Sequence, residues 1–194
     1  MTLRTLLLTS AGFLLAHLPA SANTAEAQQR LQAAVNEVLG IADKSPSAAA
    51  FASRVRPTLE RHISFETMTR RAVGIGWRQF TPAQQKQATQ LFTSVIIRTY
   101  TEKFTPGERP AITYQSAVSP ATGRVDVPSR MVYRGSKYNV TYRMENISGW
   151  RIADVVIEGV SLVANYRTQL DSTFKKGGAA AVISSLEQSA SRRS

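Results

Sequence analysis

The stretch that most constrains the fold is residues 149–170, GWRIADVVIEGVSLVANYRTQL. Its first part reads as a β-strand. At a period of two, Trp150, Ile152 and Val156 fall on one side and Val155 and Ile157 on the other. A strand with one wet face and one core face alternates more cleanly. The pattern therefore asks for apolar cover on each side, and in a chain of 194 residues that cover need not all be protein. Glu158-Gly159 marks a turn, after which Val160-Ser161-Leu162-Val163 opens an apolar helix.

The segments on either side set the fold class. In the N-terminal half the apolar positions recur at helical spacing. Thr24 is placed to cap a helix carrying Leu31, Val35, Val38, Leu39 and Ala42. Ser45-Pro46 opens a second helix with Phe51 and Val55, which Pro57 is expected to end or kink. Ser64 caps a short third helix bearing Phe65, Met68 and Val73. The strongest start signal is Thr81-Pro82-Ala83-Gln84, with an N-cap, a proline in the first turn and a glutamine able to complete a capping box. The helix that follows keeps Ala88, Leu91, Phe92, Val95, Ile96, Tyr100 and Phe104 on one stripe until Pro106-Gly107.

The period then changes from helical to alternating. Residues 111–118, 124–134 and 137–144 read as strands, with Arg134-Gly135-Ser136-Lys137 as a hairpin turn and residues 146–149 as a second turn. Helices return after Gly159, divided at Lys176-Gly177-Gly178, and residues 189–194 are expected to be a disordered tail. Helices, a strand meander and helices again make an α+β fold: a curved, four-stranded antiparallel sheet with helices packed on one face.

Residues 1–22 stand outside that pattern. Arg4, an apolar run from Leu6 to Leu18 and Pro19-Ala20-Ser21-Ala22 read as a secretory signal peptide cleaved after Ala22. Residues 23–188 then form a single domain. The chain contains no cysteine, so its core must stand without disulfides, which suits a bacterial periplasm. The formal charge of +11 falls to +10 once Arg4 is removed. In an exported protein, scattered basic groups point to anionic headgroups, acidic partner surfaces or plain solubility, and not to nucleic acid.

Catalytic and metal-binding patterns are thin. His62 is the one histidine beyond the leader, and no G-x-S-x-G elbow accompanies it, so a serine triad has no support. Without cysteine, a metal would need clustered carboxylates, and these are dispersed. Asp154 and Glu158 are read as structural, with Asp154 holding a loop or pairing with Arg151 or Arg167. Ser172-Thr173-Phe174-Lys175 matches S-x-x-K but lacks its companion motifs. No catalytic residue, metal ligand or cofactor is expected.

At this point the residues resemble a known family. Residues 150–170 followed by Lys176-Gly177-Gly178 look like the C-terminal signature of the MlaC/toluene-tolerance family of periplasmic phospholipid-binding proteins. Phe65, Met68, Val73-Gly74, Trp77-Arg78, Thr81-Pro82-Ala83-Gln84, Phe92 and Tyr100 resemble that family's central block. The two blocks span residues 65 to about 186, in the family's order. Val160-Ser161-Leu162 and Asn165-Tyr166-Arg167 are closer to the phospholipid branch than to its hopanoid-associated relatives, and a carrier of hopanoid or another apolar lipid is the alternative. Ala153 and Gly76 depart from the usual pattern and are expected to enlarge or reshape a pocket.

The resemblance implies a non-enzymatic carrier holding phospholipid acyl chains between sheet and helices. It implies docking with an inner-membrane ABC transporter bearing a hexameric lipid-transfer subunit, and with an outer-membrane lipoprotein–porin complex. On this basis the lipid-contacting residues are expected to be Val95, Ile96, Tyr100, Val132, Val140, Tyr142, Val155, Ile157, Leu162 and Tyr166.

Overall fold

The computed structural model describes residues 20–105 and 107–192. Most of the expected leader, Pro106 and the last two residues of the expected tail lie outside the described residues. Helix α1, Ala20–Asp43, begins four residues before Thr24, so Thr24 is not its cap. Helix α2, Ala48–His62, starts later than Ser45-Pro46 suggests: Ser47 is its N-cap, accepting from the Ala50 amide at 3.2 Å. Ser45 instead donates its hydroxyl to the Ile41 carbonyl at 2.7 Å. Pro57 sits inside α2 without ending it.

Helix α3, Phe65–Val73, follows Ser64 and runs into a 3₁₀ helix, Gly74–Gln79. The Ser64 hydroxyl donates to Thr67 and makes no cap bond. Helix α4, Pro82–Thr101, begins in the expected capping box: the Gln84 amide donates to Thr81 Oγ1 at 3.3 Å, and the Thr81 amide donates to Gln84 Oε1 at 2.9 Å. Its stripe ends at Thr101, so Phe104 lies in the turn beyond it.

The sheet has six strands, not four. They are β1 (Ala111–Tyr114), β2 (Val118–Ala121), β3 (Arg124–Tyr133), β4 (Ser136–Asn146), β5 (Trp150–Ile157) and β6 (Val160–Ser161), all antiparallel. Their order is β1-β3-β4-β5-β6, with β2 on the same edge of β3 as β1. The expected strand over 111–118 is thus two pieces. Pro128 gives the reason: its carbonyl accepts from the Gln115 amide at 2.8 Å, but it has no N–H to return, and the edge strand breaks there. The other extra strand, β6, is a two-residue return across Glu158-Gly159. Both turn residues have positive φ, 49° and 78°, the requirement of a two-residue hairpin. The β3–β4 turn at Arg134-Gly135 repeats this geometry at 52° and 78°.

The register between β4 and β5 overturns the two-sided strand. Met144 pairs with Ile152, but Arg143 pairs with Asp154, so Ala153 is an extra residue in a β-bulge. Beyond it the parity reverses. Ile152, Val155 and Ile157 stand opposite Met144, Tyr142 and Val140 and share one face, while Val156 stands opposite Thr141 on the other. One continuous apolar face results.

That inner face is the covered one. Val125, Val127 and Ser129 of β3 are buried, whereas Arg124, Arg130 and Val132 are exposed on the other side. Ala27 and Leu31 of α1 pack against Val125, Val127, Met144, Trp150 and Ile152. A second cluster joins α2, α3, α4 and the last helix, α5 (Leu162–Ser191), around Val55, Met68, Val73, Phe92, Leu170 and Val182. Phe92 is fully buried, a contribution of roughly 1.5–3 kcal/mol on transfer alone.

Asp154 anchors α5 to the sheet. Its carboxylate accepts from Ser161 Oγ at 2.6 Å and from the Val163 amide at 3.1 Å, and it pairs with Arg143 at 3.1 Å. It does hold a loop, with Arg143 and not Arg151 or Arg167 as its ion-pair partner. Helix α5 breaks at Gly177 and Gly178, as the sequence suggests. Ser189, Ala190 and Ser191, expected in a loose tail, form its last turn, and Arg98 donates to the carbonyls of Ser189, Ala190 and Arg192.

A candidate binding cavity between sheet and helices

Helix α1 belongs to both clusters. Its first half, through Leu31 and Val35, lies on the sheet, whereas Val38, Ile41 and Ala42 pack against the helical cluster. Between the two lies a cavity of about 230 Å³. Tyr142, Ile152, Val155 and Ile157 line it from the single inner face that the bulge creates, together with Ile112 and Met131. Helices α1, α2 and α4 supply the opposite walls, among them Val38, Phe51, Ile96, Ile97 and Tyr100, and Leu162 closes one side at the start of α5.

The lining is almost wholly apolar. Its two phenols stay neutral: burial pushes Tyr142 up to about 12 and also raises Tyr100. The charged lining residues Asp43, Glu108 and Arg109 come from the end of α1 and from the chain just before β1. Arg109 pairs with Asp43 at 3.1 Å, and Arg134 holds Glu108 through two bonds of 2.6 and 3.1 Å. Nearby, the Thr105 amide donates to the Tyr133 hydroxyl at 2.7 Å, and the Phe104 and Tyr133 rings lie 5.4 Å apart. These contacts tie the segment after α4 to the β3–β4 hairpin.

Glu37, His62, Asp154 and Glu158 are each engaged within the fold. Glu37 on α1 accepts from His62, Arg61 and Thr58 of α2; these bonds, that from His62 first, hold its carboxyl below the ordinary 4.5. His62 lines the cavity with Glu37 as its partner, while Ser172 is exposed on α5. Glu158 accepts from the Asn139 amide, so Asp154 and Glu158 are each engaged elsewhere. Among the described residues no three His, Cys, Asp or Glu side chains gather as a metal site. The arrangement can enclose an apolar ligand and meet a polar one at its rim.

Of the ten residues expected to contact lipid, six are brought to the cavity: Ile96, Tyr100, Tyr142, Val155, Ile157 and Leu162. Four are not. Val132 lies on the outer face, 37% exposed, because its neighbour Met131 takes the inward position. Val140 is buried on the inner face between Ser129 and Ile157, outside the lining. Val95 is buried in α4 away from the cavity. Tyr166 packs edge-on against Phe92, ring centroids 5.1 Å apart, within the helical cluster.

Neither Gly76 nor Ala153 lines this cavity, though the bulge at Ala153 sets which side chains of β5 face it. A Cβ on Gly76 would stand 2.6 Å from the Phe174 ring, so that space is filled. Ala153 is the buried bulge residue. Sequence reasoning missed Val38, Phe51, Ile97, Met131 and Arg109. Val38 and Phe51 were visible only on helical stripes and Met131 only in a strand alternation, Ile97 lay off the α4 stripe, and Arg109 carried no local signal.

Residues 28–188 match the family model described as MlaC protein. No curated protein sequence matches the chain. Among solved structures, a phospholipid-binding protein from Ralstonia solanacearum, determined in complex with a phospholipid, is similar. It is 26% identical, with a TM-score of 0.78, over 85% of this chain and 97% of that one. Among the described residues no helix is long and apolar enough to cross a membrane.

Proposed function

Since the chain belongs to the MlaC protein family, we propose that it is a phospholipid carrier whose cavity receives acyl chains and leaves the headgroup at the rim. The observation that carries this reading is an apolar cavity between sheet and helices whose charged groups stand together at the α1 end and the segment before β1. The related R. solanacearum protein, solved with a phospholipid, supports the ligand class.

The energetics fit a carrier. Each methylene withdrawn from water is worth roughly 0.8 kcal/mol, so two chains of about 15 methylenes would cost on the order of 24 kcal/mol to expose. A dry cavity removes that cost, and a headgroup left wet needs no buried partners. The cavity of about 230 Å³ is smaller than the roughly 300–1,000 Å³ common for ligand sites, so loading requires the walls to part. Ile96, Tyr100, Tyr142, Val155, Ile157 and Leu162 are the residues assigned to the acyl chains.

Exported to the periplasm by residues 1–22, the protein would exchange lipid with an inner-membrane ABC transporter carrying a hexameric lipid-transfer subunit and with an outer-membrane lipoprotein–porin complex. It performs no chemistry of its own. Organic extraction of the purified protein, followed by mass spectrometry, tests the reading. Phospholipid at close to one molecule per chain is the expected result; no lipid, and none acquired from vesicles, would refute it.

A further inference from the structure

A chain of net charge +11 leads one to expect a cavity rim that gathers anions. The rim is built otherwise. Its two acids each face an arginine: Asp43 faces Arg109, and Glu108 faces Arg134. Each acid that lines the cavity is thus already engaged by an arginine, and Arg54 adds a further cation at the Lys44 carbonyl, 2.7 Å away.

The two pairs differ in how firmly they are held. Arg134 grips Glu108 through Nε and Nη2 at once, and its guanidinium lies 5.9 Å from the Tyr133 ring centroid. Arg109 holds Asp43 through a single bond of 3.1 Å, with both side chains well exposed. A single exposed pair is weak and exchangeable. Arg109 and Asp43, unlike Arg134, also line the cavity itself. A phosphate arriving at the rim can therefore take the Arg109 guanidinium through two parallel bonds and displace Asp43.

That exchange leaves the Asp43 carboxylate beside a new negative charge. An anionic lipid would leave the repulsion standing. A lipid whose headgroup carries an ammonium a few ångströms from its phosphate would cancel it, restoring on the ligand the pairing that Arg109 gave up. Building on the carrier reading above, we propose that Arg109 and Asp43 form a headgroup subsite. Arg109 binds the lipid phosphate and Asp43 the ammonium, so that a zwitterionic aminophospholipid is taken in preference to an anionic one.

The test offers the full chain, stripped of lipid, to vesicles of equal parts phosphatidylethanolamine and phosphatidylglycerol; bound lipid is then extracted and quantified. Wild type should carry phosphatidylethanolamine in about threefold excess over its share in the vesicles, a size set by the exposure of the pair. Asp43→Asn should bring the ratio back to that of the vesicles. Arg109→Gln should lower total uptake about fivefold, and Arg109→Lys, which keeps the charge without the fork, should fall between. Melting curves identify the variants that fold as wild type does. Bound lipid in the vesicle ratio, or uptake indifferent to Arg109→Gln, overturns the subsite and leaves the carrier reading standing. Wild type that acquires no lipid at all overturns both.

Discussion

The two ends of α4 meet their surroundings in opposite ways. At the N-terminal end the ring packing is solid, although a surface cleft lined by Ile75, Gly76, Arg167 and Phe174 lies beside it. Trp77, Phe80 and Phe174 stack with centroids 5.4 and 6.1 Å apart, and Phe174 lies so close over Gly76 that no side chain fits there. At the C-terminal end Ile96, Ile97 and Tyr100 face a cavity. Flat rings and one glycine let the 3₁₀ helix and α5 close on each other. At the other end α1 passes from the sheet to the helical cluster, and a cavity lies between the two. The same helix thus has one end closed against stacked rings and one end facing a cavity.

The largest test of that contrast lies between the two ends. Phe92→Ala should cost about 4 kcal/mol in denaturant unfolding, because the residue is fully buried and its surroundings cannot collapse into the space. A loss below about 1 kcal/mol would mean that the helical cluster is not close-packed. At the solid end, Gly76→Ala should cost about 1–3 kcal/mol through its collision with Phe174. The double variant Gly76→Ala/Phe174→Leu should recover part of that loss, and strict additivity would sever the link between the two residues.

At the hollow end, Ile96→Trp or Val155→Trp should act the other way. Each adds bulk to open space, so stability should change by less than about 1 kcal/mol while vesicle lipid uptake falls by more than about half. Normal uptake by both would place the acyl chains elsewhere. The smallest effect is expected at Glu37, where α1 meets α2 beside the cavity. Its carboxyl is held below 4.5 in the fold, so its contribution to stability is present above that value and is lost as pH falls through the lowered one. In acid titrations followed by melting temperature, Glu37→Gln should flatten that part of the profile; an unchanged slope would remove Glu37 from the tie between the helices.

Much of this layout was legible along the chain. The capping box at Thr81, the turn at Arg134-Gly135 and the break at Gly177-Gly178 are local, and local chemistry determines them. The count of strands was not, because the break between β1 and β2 lies opposite a proline in another strand. The cavity was half legible. Ile96 and Tyr100 follow from a helical stripe, but a stripe does not say whether its neighbour touches it or stands off. Val132 has the opposite parity from Val125, Val127 and Met131, so alternation within β3 already puts it on the outer face; Val140 is buried in the sheet and Tyr166 packs on the helical cluster.

The sequence by itself determined the order of helices and strands, the family to which they belong and the absence of disulfides, since each is written in neighbouring residues or in composition. Only the tertiary structure decided what the strand over residues 150–157 is for. Its apolar groups looked two-sided at a period of two, yet one bulge at Ala153 turns Ile152, Val155 and Ile157 onto a single face. A bulge exists only in the pairing of two strands. No spacing within β5 reveals it, and with it comes the wall of the cavity.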